Sequence, residues 1–134
     1  MASALHLQII SPTKVVIDAH VPSCQIPGAE GDFGVLPGHA AFFSMLRPGV
    51  IDVTMTDGIH RRFFAATGYA DVTPEKCTVI SDHIQDLSEI SPSEVQEALM
   101  AAKTALAAAD TQAEREQAAK VLQSTDALAA AVSA

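Results

Sequence analysis

The sequence predicts a β + α protein: an N-terminal antiparallel β-sandwich, or flattened barrel, over residues 1–86, then a C-terminal antiparallel α-helical hairpin over 87–134. Three observations predict it. All seven Gly lie at or before Gly68, all six aromatics at or before Tyr69, and no Pro follows Pro92. From Leu87 onward 15 of 48 residues are Ala, the strongest helix former. The apolar repeat also changes there, from alternate residues to the three-and-four spacing of a helix. Charge does not divide the chain: five basic and nine acidic residues up to Asp86, and three and seven after it, leave -4 on each part. The boundary rests on backbone propensity.

In the first part, Leu5, Leu7 and Ile9 alternate with Ala4, His6 and Gln8, which predicts a strand with one buried face. The β-branched runs Lys14 to Ala19 and Val21 to Ile26 predict two more, with a turn at Ala19-His20 between them. Ile51, Val53 and Met55 alternate with Asp52, Thr54 and Thr56, and Asp57-Gly58 then precedes the run Ile59 to Ala65. Asp-Gly between two such runs predicts a hairpin with a type I′ turn. A second hairpin is expected from Tyr69 to Thr73, through Pro74-Glu75-Lys76, to Cys77 to Ser81.

The second part opens on Ser91-Pro92-Ser93-Glu94, a capping box with Pro at the first helical position. Val95, Leu99, Ala102, Leu106 and Ala109 then draw one narrow apolar stripe. Thr111-Gln112-Ala113-Glu114 is a second box, so the helix is expected to break near Ala109 to Thr111. Ala118, Val121, Leu122, Thr125, Leu128 and Val132 carry the period to the end. Alanine seams bury little area, so this hairpin should be marginal alone.

Composition narrows the function. With 134 residues the chain can bury a core without metal or disulfide staples. A net charge of -8 opposes a phosphate backbone or an anionic lipid surface, so no nucleic acid and no membrane insertion is expected. No apolar run reaches the roughly 18 residues of a spanning helix. Met1-Ala-Ser-Ala-Leu-His shows neither a basic nor a long apolar leader region, so cytosolic residence is expected. Cys24 and Cys77 lie too far apart in sequence for a metal knuckle and read as buried, reduced thiols. His6, His20, His39, His60 and His83 occur singly, without zinc-site spacing. Gly28-Ala-Glu-Gly-Asp-Phe-Gly34 lacks the Gly-Lys-Ser/Thr ending of a phosphate loop, and no serine has nucleophile-elbow context. No catalytic residue, cofactor or metal is predicted.

The densest punctuation runs from Ile26 to Phe43, where four Gly and two Pro predict successive tight turns, loops at one end of the sandwich. Its E-G-x-x-G run, the Pro37-Gly-His-Ala40 turn and the Leu46-Arg-Pro-Gly-Val-Ile51 continuation resemble the epsilon subunit family of F-type ATP synthases. The resemblance extends to a first strand ending in Ser11, a Gly68 turn before Tyr69-Ala-Asp-Val72, and a helix pair after residue 90.

That resemblance implies a bacterial rotor part without an active site, peripheral on the cytoplasmic face of the inner membrane. It would join the gamma subunit to the ring of c subunits. By the same resemblance Glu30, Asp32 and His39 would face the c-ring, and Ser11, Phe42 and Phe43 the gamma subunit, although adjacent Phe42 and Phe43 in a strand also imply that at least one is core. An extended hairpin would reach the alpha/beta head. Here the chain departs from the family: nucleotide-sensing members carry Ile/Leu-Asp-x-x-Arg-Ala at the first helix, whereas Ile90 is followed by Ser-Pro-Ser-Glu-Val95. Arg115 and Lys120 also sit among Asp110, Glu114, Glu116 and Asp126. Weak ATP binding and weak inhibition are therefore expected. The competing reading is a free-standing sandwich that binds a partner and dimerises through a coiled-coil tail, which helices of about two heptads support poorly.

Overall fold

The computed structural model describes residues 4–133; Met1 to Ser3, read above for a leader, lie outside them. The chain divides into two compact units, Met1–Asp86 and Leu87–Ala134.

The first unit is a sandwich of ten strands: β1 Leu5–Ile10, β2 Val15–Val21, β3 Ser23–Gly28, β4 Gly31–Val35, β5 Phe42–Met45, β6 Gly49–Thr54, β7 His60–Ala65, β8 Tyr69–Val72, β9 Lys76–Ile80 and β10 Ile84–Asp86. One sheet has the order β2-β1-β9-β8-β5 and the other β10-β7-β6-β3-β4. Pairing is antiparallel except between β1 and β9, which run parallel. The alternation read in β1 sends Leu5, Leu7 and Ile9 inward, with Ile17, Val21, Val72, Cys77 and Val79 of the same sheet. Cys24, Ile26, Val35, Ile51, Val53 and Phe63 meet them from the other. Each fully buried aliphatic or Phe side chain contributes about 1.5–3 kcal/mol, which makes this layer the main source of stability.

Several local expectations change. Ala19-His20 is not a turn: β2 runs through it, with His20 opposite His6, and the strand break falls at Pro22, which lacks the N–H a ladder needs. The β6–β7 hairpin forms, but its turn is not type I′, because Gly58 has φ +85° and, among the described residues, no non-glycine residue, Asp57 included, has positive φ. Gly58 N donates to the Met55 carbonyl at 2.9 Å, and the Asp57 carboxylate accepts from Ile59 N at 2.9 Å. The loop is therefore one residue longer than Asp-Gly alone requires. The Ile26–Phe43 segment is not all loop either, since β4 pairs with β3 through Cys24↔Val35 and Gly28↔Gly31.

The second unit holds a 3₁₀ turn, Leu87–Glu89, and two packed helices, α1 Pro92–Ala107 and α2 Gln112–Ser133. The Ser91 hydroxyl accepts from Glu94 N at 3.2 Å and the Thr111 hydroxyl from Glu114 N at 3.1 Å. The Glu114 carboxylate closes its cap one residue early, on Asp110 N at 3.0 Å. Val95, Ala102 and Ala131 are buried, whereas Val121 of the expected stripe is exposed.

Candidate functional site: an apolar sheet face and an acidic hairpin tip

On the outer face of the first sheet, the register aligns Val15, Ile10, Ile80, Tyr69 and Met45 in one row across all five strands. Inward neighbours Ile9, Val79 and Ala70 fix the outward direction of Ile10, Ile80 and Tyr69. At about 4.8 Å per strand the row spans about 19 Å. Val15 and Met45 are each 56% exposed. Phe43, 57% exposed, extends the row by packing its ring on Tyr69 at 5.3 Å. An apolar stripe of this length on the solvent side of a sheet is a mark of an interface.

Ser11 follows Ile10 at the margin of the row, closing the β1–β2 turn through its hydroxyl on the Lys14 carbonyl at 3.2 Å. It lines a cleft of about 260 Å³ with Lys14, Asp82 and His83. Ser11 and Phe43 therefore border one face but are separated by β9 and β8, about 14 Å. Phe42 belongs to the opposite side of β5, where its ring meets Phe33 edge-on at 5.1 Å. Neither Phe42 nor Phe43 is core, contrary to the expectation for adjacent strand residues, because β5 is an edge strand with no neighbour to cover it.

The β3–β4 hairpin turns at the same end of the sandwich as Met45 and Tyr69: Ala29 N donates to the Met45 carbonyl at 2.8 Å, and Leu46 N to the Gly68 carbonyl at 2.9 Å. Glu30 stands exposed at its tip. Asp32 is ion-paired with Arg47, whose other terminal nitrogen donates to the Gly28 carbonyl at 2.7 Å. His39 is not brought to this tip. It lies beyond the other end of β4, in a loop whose Gly38 N donates to the Pro74 carbonyl at 2.9 Å. The glycine-rich loops thus occupy both ends of the sandwich, not one.

Elsewhere, His6 and His20 stack at 4.8 Å on the outer face of β1 and β2, and the Asp18 carboxylate accepts from Gln8 and lies 2.5 Å from His6 Nε2. These partners, Gln8 first and then His6, hold the Asp18 carboxyl below its ordinary value. Asp52 and His60 pair at 2.7 Å in a shallow groove of about 300 Å³ that Gly34 also lines. Among the described residues no three His, Cys, Asp or Glu side chains converge as a metal site. Cys24 and Cys77 are buried free thiols, and the hydrogen bond that Cys24 donates to Cys77, together with burial, pushes the Cys24 thiol up.

The row was missed in the sequence because its members come from five separate strands and α-carbon register is a tertiary property. A local signal existed. Ile10 after Ile9 and Ile80 after Val79 break the alternation, placing an apolar residue where a one-sided strand calls for a polar one.

A sandwich with an apolar outer face and a polar hairpin tip defines a docking module. The family model for the ATP synthase, Delta/Epsilon chain, beta-sandwich domain matches residues 4–86. The chain is 37% identical to the ATP synthase epsilon chain of Rhodospirillum rubrum over 98% of each, and 36% identical to that of Maricaulis maris over 97% of each. It belongs to the ATP synthase epsilon-chain family. Its fold is shared with a chain of the Euglena gracilis mitochondrial ATP synthase OSCP/F1/c-ring assembly, with TM-score 0.87 and 24% identity over 98% of this chain and 83% of that one. A chain of the Tetrahymena thermophila central stalk and c-ring matches with TM-score 0.69 and 14% identity over 96% of each.

Proposed function

We propose that the chain is the central-stalk rotor subunit of a proton-translocating ATP synthase, without catalytic activity of its own, coupling the gamma subunit to the c-ring. It works at the cytoplasmic face of a bacterial inner membrane. The observation that carries this reading is the apolar row from Val15 to Met45, with Phe43 on its margin. Such a face gives gamma a well-packed, water-excluding footprint, while the exposed Glu30 tip at the same end is free to meet polar loops of the ring. A close-packed sandwich resists deformation, which torque transmission requires.

Gamma covers Ser11 and Phe43 at the two margins of the row; Phe42 lies on the β4 side of the same edge. The ring meets the Glu30–Asp32 hairpin, and His39 takes no part in that contact. Nucleotide binding and inhibition through the tail are weak. The helix start offers Glu94 and no guanidinium to a triphosphate. Arg115 in α2 is turned back to within 3.5 Å of the Asp110 carbonyl.

Thiol protection tests the gamma contact. Because both native cysteines are buried, a Cys placed at Ser11 reports alone. Protection from a maleimide on adding gamma supports the assignment, and equal labelling with and without gamma removes it.

A further inference from the structure

We infer that Arg47 is the positioning residue of the acidic hairpin, and that Asp32 serves the ring contact through Arg47, leaving Glu30 as the carboxylate presented to the partner. This rests on the reading that the β3–β4 hairpin faces the ring. Four bonds from the Met45–Arg47 segment hold the tip. The Arg47 guanidinium reaches Asp32 with one nitrogen and the Gly28 carbonyl with the other at 2.7 Å. Arg47 N donates to the Pro27 carbonyl at 3.0 Å, and the Met45 carbonyl accepts from Ala29 N at 2.8 Å.

The guanidinium suits this role for a stated reason. Its planar fork serves a carboxylate on β4 and a backbone carbonyl on β3 at once, across the base of a two-residue turn, which a point-charge ammonium does less well. The backbone below is closely packed too, since a Cβ on Gly28 would stand 2.6 Å from the Gly31 carbonyl. Asp32 is thereby neutralised, whereas Glu30 stands exposed beyond the clamp with its charge unspent. Arg47 lies in the short connection between β5 and β6, two residues before β6 begins, so the clamp ties the tip to a segment held by a strand on either side.

The test is cross-linking in the assembled synthase, between Glu30→Cys and a cysteine in the polar loop of c, with gamma co-purification as the control. Arg47→Gln should lower the cross-link yield about threefold or more, and Asp32→Asn should lower it too. The double variant should fall no further than Arg47→Gln alone, Arg47→Lys should recover part of the yield, and gamma should co-purify normally throughout. An unchanged yield in Arg47→Gln overturns the proposal. So do multiplying effects of Arg47→Gln and Asp32→Asn, which would mean that Asp32 meets the ring independently. If Glu30→Cys fails to cross-link with Arg47 intact while gamma still co-purifies, the ring-facing assignment itself fails, and this proposal with it.

Discussion

The rings of Phe43 and Tyr69 pack 5.3 Å apart, tilted by 34°, on the solvent side of a sheet whose core lies behind them. Phe43 is 57% exposed, so folding gains little from it. Phe43→Ala should therefore cost about 0.5 kcal/mol or less in stability, yet weaken gamma binding about tenfold or more. A binding titration beside a urea melt separates the two; a matched loss in both would assign Phe43 to the fold.

Gly68 should be nearly intolerant of a side chain. Its φ is +127°, and a Cβ would stand 2.1 Å from the Ile80 carbonyl oxygen in β9. Gly68→Ala should destabilise the first unit by on the order of 3 kcal/mol or more, read as a lower urea midpoint. An unchanged midpoint would mean that this turn can open at no cost.

Asp18 makes acid stability testable. Its folded-state carboxyl is held below its ordinary value by Gln8 and then His6. The stabilisation is therefore present above the unfolded-state value and is lost as pH falls through the lower, folded one. Asp18→Asn should flatten the stability curve below about pH 4. A mutant curve parallel to wild type down to pH 2 would contradict the pairing.

The sandwich should fold as residues 1–86 alone, whereas the isolated hairpin should not fold stably. Among the described residues its buried side chains, Val95, Ala102 and Ala131, include only one larger than alanine. Circular dichroism of residues 87–134 should show a shallow, non-cooperative melt. In the synthase, deleting that segment should change ATP hydrolysis less than about twofold, and calorimetry should show no micromolar MgATP binding, given Glu94 where a cation is wanted. A cooperative tail, or strong activation on its removal, would reverse this part of the account.

The class of fold was legible because its signals are local: alternation in β1, Asp57-Gly58, and the caps Ser91 and Thr111 each act within a few residues. Legibility ended where long-range register decides. The strand β4 hides in a glycine-rich run in which Gly31, Asp32 and Gly34 are poor strand formers, and pairing with β3 makes it one. The same reason explains His39, which the family resemblance grouped with Asp32 and which the extended β4 carries to the other end. The ion pair of Arg47 with Asp32, 15 residues apart, left no pattern in the sequence.

The central claim is mechanical coupling between gamma and the ring. It is tested most directly by ATP-driven proton pumping in membrane vesicles stripped of the catalytic head and rebuilt with and without this chain. The account predicts that pumping returns only when the chain is added, and returns poorly with a Phe43→Ala/Tyr69→Ala double variant. Equal pumping without the chain would contradict it.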